Sequence, residues 1–439
     1  MGSEAWRFEM LRAQDDPLQQ RTAIRSCGLD FGTSNSTVAL VRAGRPELVP
    51  VEGDKSTIPS AVFFSSSHQE VAFGRAAIAR YTDGEPGRFM RAIKSILGYG
   101  LFHETTPIQG KPVALSQVLS RFLAHLKRGA ENRAGEDILH AVLGRPVQFI
   151  ENDPAADRQA QDDLEAAARS VGFRNIEFQY EPIAAALDYE LTVQKEELVF
   201  VVDIGGGTAD FSIVRVSPER SRKADRLADV LANRGVRVGG TDFDRMLSLV
   251  SVMPLLGFGS RTGDGKAELP NWIFHDLSTW SQISFLYSQK VRSVLRSIRY
   301  DAARQDLVDR LVSVIDHQEG HRIIDLVERA KIALSEAPGT DIDLKNIEPG
   351  LQVGVDREGF EAAIVPGLDR IDKAMADTAA DAGLAPGAVQ AVFLTGGSSA
   401  IPIVRDRISR FLAGAAIRDG DMFGSVGKGL GLDAYRRFQ

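Results

Sequence analysis

The sequence predicts an α/β protein in two halves of similar construction, and three observations predict it. Residues 200–214 read Phe-Val-Val-Asp-Ile-Gly-Gly-Gly-Thr-Ala-Asp-Phe-Ser-Ile-Val. A β-branched and aromatic run enters a glycine turn and leaves it as a second strand, which is the pattern of a hairpin. Residues 26–41 repeat this grammar, with Asp30 where the later stretch has Asp203 and with Gly32, Thr33, Ser34 and Asn35 in the turn. The two aspartates lie about 170 positions apart, the span of a domain. A chain of 439 residues is also too long for one ordinary core.

Taken in order, residues 1–25 read as an extension that is helical or disordered, and residues 26–41 as the first hairpin. Short strands and turns follow over 52–74, with a helix near 75–80. A Gly/Pro break at 83–87 then leads into Phe-Met-Arg-Ala-Ile-Lys-Ser-Ile-Leu-Gly at 89–98. Leu115, Val118, Leu119, Phe122, Leu123 and Leu126 share one helical face, with an expected end near Gly129. Residues 141–149 form a strand interrupted by Pro146. A helix runs from an Asn152/Asp153 cap, with Pro154 in its first turn, to a stop at Gly172. A strand at 176–180 precedes a helix opening at Glu181. The second half starts with the hairpin at 198–216, and residues 234–244 reach another glycine turn at Gly239 and Gly240, with a helix after it. Residues 246–320 lack strand alternation and read as a mostly helical insertion. Residues 391–402 pass from a buried-type strand through Gly396, Gly397 and Ser398 into a helix with Pro402 near its first position. A helix containing four glycines closes the chain over 421–435.

Composition narrows the function classes. Hydrophobic residues at 44% and charged ones at 25% fit a soluble globular protein. A net charge of −7 argues against non-specific nucleic-acid binding. The single cysteine, Cys27, excludes an internal disulfide and reads as a small buried residue. The most apolar helical stretch, 246–258, is broken by Pro254 and too short to span a bilayer. The acidic N-terminus has no continuous apolar core, so no signal peptide and a cytoplasmic location are expected.

The glycine turns carry the chemistry. Gly205, Gly206 and Gly207 are expected to adopt positive φ and let an anion approach the main-chain N–H groups. Asp203 and Asp210 beside such a nest repel a bare phosphate but suit a divalent cation lying between them and phosphates. This is a nucleotide–Mg²⁺ reading, with Thr33, Ser34 and Thr208 as hydroxyl donors. Other phosphate motifs are absent. The nearest approach to G-x-x-x-x-G-K-[ST], at 259–267, has the wrong spacing and Ala267 in the last place, and no G-x-G-x-x-G or G-x-S-x-G occurs in the required context. His317 and His321 have H-x-x-x-H spacing but lack the adjacent glutamate and any nearby cysteine, so a solvated pair at a helix boundary is expected.

These blocks together resemble the actin-like ATPase superfamily, in particular the ATPase domain of DnaK-type seventy-kilodalton heat-shock chaperones. Gly-Leu-Asp-Phe-Gly-Thr-Ser-Asn at 28–35 and Val-Asp-Ile-Gly-Gly-Gly-Thr-Ala-Asp at 202–210 are similar to its two phosphate loops. Residues 180–189 resemble its connecting segment, 239–244 its G-G-x-D-F-D stretch, 328–335 its adenosine helix and 394–398 its second adenosine turn. The resemblance runs from residue 26 to about 435. It implies two RNase H-like lobes with mixed sheets flanked by helices, each with an inserted subdomain. Lobe I would cover 26–195, with its insertion near 50–112. Lobe II would cover 196–439, with its insertion near 246–320.

The same resemblance implies bound ATP or ADP with Mg²⁺ held through water by Asp30 and Asp203. Gly32, Thr33, Ser34, Asn35, Gly205, Gly206, Gly207 and Thr208 would surround the phosphates. Lys94 would position the attacking water, Glu181 and Asp210 would act around it, and Pro146 would transmit nucleotide state. Asp210 also reads as a hairpin residue bonding its own turn. Gly239, Gly240, Glu328, Lys331, Ser335, Gly396, Gly397, Ser398 and Asp421 would lie on the adenosine side. Glu328, Lys331 and Ser335 share one helical face by their i, i+3, i+7 spacing. Two positions depart from the pattern: Ile332 and Ala400 stand where the family carries arginines that stack on adenine.

The chain ends where the family's ATPase domain ends, so it is expected to resemble the stand-alone YegD-like branch without a peptide-binding domain. The expected activity is slow ATP hydrolysis by a monomeric, nucleotide-controlled switch read by a protein client or co-chaperone, with no membrane and no nucleic-acid partner. A small-molecule phosphotransferase and a nucleotide-gated structural protein are the two alternatives.

Overall fold

The computed structural model describes residues 24–438 apart from positions 69, 99, 151–152, 191, 224, 281, 385–386 and 420–423. Most of the N-terminal extension thus lies outside the described residues.

Lobe I opens with the meander β1 (Ser26–Phe31), β2 (Asn35–Arg42) and β3 (Arg45–Leu48), and β4 (Thr57–Pro59) pairs with the start of β2. A small sheet of β5 (Ala61–Ser65), β6 (Val71–Phe73) and β7 (Gly87–Arg91) follows, with α1 (Gly74–Thr82) between its last two strands. The hairpin β8 (Thr105–Ile108) and β9 (Lys111–Ala114) leads into α2 (Leu115–Ala134). The apolar stripe read from the sequence is buried from Val118 to Leu126, each large side chain contributing about 2 kcal/mol of burial. The helix does not stop near Gly129. That glycine lies within the helix because a Cβ there would meet Val51 at 2.8 Å, and the stop is Gly135 in the left-handed region. β10 (His140–Arg145) ends before Pro146, whose ring cannot donate to a ladder. Asp153 then caps α3 (Pro154–Ser170), accepting from the N–H groups of Ala155 and Ala156. β11 (Asn175–Tyr180) and α4 (Glu181–Glu190) complete the lobe.

Lobe II repeats the plan with β12 (Glu197–Ile204), β13 (Ala209–Val216) and β14 (Val230–Val236). α5 (Gly240–Ser251) enters the helical insertion of α6 (Trp272–Leu277), α7 (Ile283–Leu286), α8 (Gln289–Asp301) and α9 (Gln305–Asp316), and α10 (Gly320–Glu336) leads out of it. The hairpin β15 (Gly339–Asp343) and β16 (Gln352–Asp356), α11 (Arg357–Asp381), β17 (Ala391–Thr395), α12 (Pro402–Phe411), β18 (Ala416–Asp419) and α13 (Ser425–Phe438) follow.

The strand orders show that the halves are one architecture used twice. Lobe I runs β3-β2-β1-β10-β11 and lobe II runs β14-β13-β12-β17-β18. In each, the first three strands are antiparallel and the last two join in parallel beside the strand that bears the key aspartate. Each lobe has its own core, and the helical insertion shares that of lobe II.

A third cluster joins the lobes. Ile183 to Ala186 of α4 pack with Val426, Leu430 and Ala434 of α13 and with Val199, Val201, Val214 and Phe393 of the lobe II sheet. The glycines of α13 permit this approach. A Cβ on Gly429 would stand 1.9 Å from the Ala184 carbonyl oxygen, and one on Gly28 of β1 would stand 2.1 Å from the Gly431 nitrogen.

The lobes also touch between their insertions. The Tyr81 ring stacks on Phe89 and its hydroxyl reaches His321 Nδ1 at 3.0 Å, while His321 Nε2 lies 3.2 Å from the Trp280 carbonyl oxygen. His321 is therefore no solvated residue at a helix boundary. It is 4% exposed, and burial lowers its pKa from 6.5 to about 4. His317 turns away and pairs with the Ser313 carbonyl at 2.9 Å.

Candidate functional site

The two aspartates lie near the ends of the first strands of their lobes. Asp203 lies opposite Asp210 across the β12–β13 ladder and beside Thr395 of β17. Burial raises the Asp203 pKa well above the usual carboxylate range, and Asp210, Glu181 and Asp30 raise it further. Asp30, at the end of β1, is pushed up to about 7 by burial and then by Glu181, against the pull of Lys94. Glu181 and Lys94 act on both aspartates, so the charges of the two lobes belong to one cluster. Lys94 follows Ala92, which takes the left-handed conformation, and sits in a short 3-10 turn over 93–96. Its ammonium donates to Glu181 Oε1 at 2.9 Å. Burial pulls the Lys94 pKa down, but Glu181 and Asp30 outweigh it and hold the ammonium charged. A surface helix lysine would show neither the burial nor the pairing.

A cavity of about 20 Å³ lies at this junction, lined by Pro146, Glu181, Asp203, Asp210 and Thr395 among others. That is room for one water. Thr208 donates its hydroxyl to Asp210 at 3.1 Å. Asp210 thus bonds its own turn and also lines the cavity.

Close approach rather than handedness explains Gly32, Gly206 and Gly239. Gly205, Gly206 and Gly207 are not among the positive-φ residues, contrary to the expectation from their sequence, whereas Gly396 has φ +79°. A Cβ on Gly206 would lie 2.0 Å from Ser34 Oγ, so the first and second loops meet there without space for a side chain. A Cβ on Gly239 would lie 2.6 Å from the Gly206 backbone, and a Cβ on Gly32 would lie 2.2 Å from the Asn35 carbonyl oxygen. Hydrogen bonds then stitch the loops. Gly240 and Thr241 donate their N–H groups to Gly205 and Gly206, Ser398 donates to the Gly205 carbonyl at 3.3 Å, and Ser60 donates to the Gly32 carbonyl at 2.7 Å. Gly397 opens the turn that carries Ser398. Thr33 and Asn35 flank Ser34 in the first loop.

The α10 stripe splits. Glu328 lies 3.9 Å from Arg91 and Ser335 bonds the Lys331 carbonyl, but Lys331 turns inward, 2.8 Å from Asp244 Oδ1 and donating to the Gly240 carbonyl at 3.1 Å. Lys331 therefore braces the Gly239–Gly240 turn. Burial pushes Asp244 up to about 6 despite this ion pair. Asp244 was missed in the sequence reading, although it closes the Gly-Gly-Thr-Asp-Phe-Asp stretch and so carried a signal. Thr395, in register with Asp203, had none beyond its place before the glycines. Asp421 lies outside the described residues.

Among the described residues, no group of three or more His, Cys, Asp or Glu could hold a metal ion directly. The donor set fits Mg²⁺ all the same. Buried carboxylates crowd one another beside backbone donors, and Mg²⁺ commonly keeps several waters and takes one or two carboxylates plus substrate phosphates. Among the described residues, no helix is long and apolar enough to cross a membrane.

Two mixed sheets of one topology, flanked by helices and with their glycine loops in contact, define the actin-like ATPase fold. The family model for the Hsp70 protein matches residues 26–252 and 304–420, and the chain belongs to that family. Hsp70 proteins are in general chaperone-type ATPases that bind ATP or ADP with Mg²⁺, and the protein is a nucleotide-binding ATPase of that broad type. Residues 253–303, which include α6 to α8, lie between the matched segments.

Proposed function

We propose that the protein binds ATP with Mg²⁺ between its lobes and hydrolyses it slowly, the nucleotide state setting how the lobes close. The observation that carries this is the convergence of Glu181 from lobe I with Asp203 and Asp210 from lobe II around one small cavity, with Lys94 bonded to Glu181 and Asp30 under the influence of both. Asp30 and Asp203 would hold the hydrated cation, which when bound neutralises phosphate charge. Gly32, Thr33, Ser34 and Asn35 from one side, and Gly205, Gly206, Gly207 and Thr208 from the other, would hold the β- and γ-phosphates. Lys94, fixed by Glu181, orients a water for in-line attack on the γ-phosphorus, and Asp210 accepts its proton as ADP departs. Gly239, Gly240, Lys331, Gly396, Gly397 and Ser398 shape the wall under the nucleoside, with Glu328 and Ser335 facing the ribose. Pro146 lines the cavity and joins it to β10, a route from bound nucleotide to the lobe I sheet. The readout is a protein client or co-chaperone that distinguishes the open and closed forms.

Calorimetric titration with ATP, ADP and GTP in Mg²⁺, followed by phosphate release on the same sample, tests the reading. Asp30→Ala and Asp203→Ala should abolish Mg²⁺-dependent binding and turnover, and unchanged behaviour in both variants would refute it. Phosphate transferred to a small acceptor faster than to water would make the protein a phosphotransferase instead.

A further inference from the structure

The nucleoside end of the cleft contains a charged residue that the phosphate chemistry does not use. Ile332 of α10 is 57% exposed, an apolar side chain open to solvent. One helical turn before it, Glu328 meets Arg91, which reaches across from the end of β7 in lobe I, with Nη2 3.9 Å from Oε2. The Arg91 side chain is only 16% exposed because its guanidinium lies over the Trp280 ring, 4.8 Å from the centroid. Phe89 packs on the same indole at 5.8 Å. Trp280 belongs to the stretch between the two family-matched segments. An indole from lobe II thus holds a planar cation of lobe I beside Glu328, one of the residues proposed to face the ribose. The loose 3.9 Å contact leaves Glu328 able to exchange Arg91 for a ribose hydroxyl.

We propose that Arg91, supported by Trp280, is a specificity-determining residue for the nucleoside half of the ligand. It supplies from the opposite lobe the planar cationic contact that Ile332 and Ala400 cannot make, and it favours a purine, whose face is the larger. This rests on the nucleotide reading above. Because the contact spans both lobes, it exists only when they are together, so nucleoside binding and lobe closure reinforce each other. A polyphosphate without a nucleoside gains nothing from it.

The test compares ATP with inorganic tripolyphosphate, each with Mg²⁺, on the intact chain. Wild type should bind ATP more tightly. Arg91→Met, which keeps an apolar stem on the indole, should weaken ATP binding roughly tenfold and leave tripolyphosphate within about twofold. Arg91→Lys, which keeps the charge but not the plane, should behave like Arg91→Met. ATP but not tripolyphosphate should change the tryptophan fluorescence, and Trp280→Phe should remove that signal. Equal losses for both ligands, no loss for ATP, or full rescue by lysine would overturn the assignment while leaving the phosphate site standing. A wild-type protein that binds neither ligand would overturn the nucleotide reading itself.

Discussion

Replacing Lys94 by methionine removes one charge from a buried cluster while keeping most of the side-chain volume. The Lys94–Glu181 pair, at 2.9 Å with both groups largely buried, has a Coulomb attraction of about 6 kcal/mol at an effective dielectric of about 20. Desolvation offsets much of that in the intact pair. Deleting one partner instead strands the other, and breaking buried pairs in this way costs about 3–5 kcal/mol. Asp30 and Asp203 share the loss, because Lys94 opposes the rise of both their pKa values. Denaturant unfolding followed on the lobe I transition should therefore move to lower concentration for Lys94→Met. The double variant with Glu181→Gln should recover part of the loss, with a coupling energy of about 2 kcal/mol. Phosphate release should fall about a hundredfold or more, as when one preorganised electrostatic group is lost from an active site. Unchanged stability and turnover would make Lys94 a spectator. Destabilisation with full turnover would make it structural only.

Three further outcomes follow from the geometry. Gly239→Ala places a methyl 2.6 Å from the Gly206 backbone, which cannot rotate away; ATP affinity by calorimetry should fall more than about tenfold, and unaltered affinity would refute the loop contact. Gly429→Ala drives a methyl into the Ala184 carbonyl at 1.9 Å and should cost about 1–3 kcal/mol or more in denaturant unfolding by forcing α4 and α13 apart. His321 titrates at about 4 when folded against 6.5 when unfolded. Below pH 6.5 the unfolded state therefore takes up a proton that the folded state refuses. Stability, complete above that pH, should fall by about 3 kcal/mol as the pH drops towards 4, and His321→Phe should lose this part of the slope.

Much of the fold was legible because it is written in local patterns. The hairpins around Asp30 and Asp203, the α2 stripe and the Asp153 cap each depend on residues within one or two turns of each other, and each appears where periodicity and capping chemistry put it. The candidate site was legible to the extent that its residues end strands or form turns. Gly129 shows the limit. Read locally it stops a helix, but its reason is Val51, some 78 positions away, and the true stop is Gly135.

By itself, the sequence determined that the protein has two α/β halves, each opening with an aspartate and a glycine turn, and it pointed to phosphate chemistry for the acidic and glycine-rich blocks. Only the tertiary structure decided what those residues touch. It showed that none of Gly205 to Gly207 takes a positive φ and that Gly206 is constrained by the approach of Ser34. It turned Lys331 from the ribose-facing stripe onto Asp244, buried His321 among aromatic rings, and carried Arg91 across the cleft to Trp280 and Glu328. The physical reason is separation along the chain. Periodicity and turn propensity report interactions between near neighbours, whereas a charge, a clash or a stacked ring acts over a few ångströms of space between residues that only folding brings together.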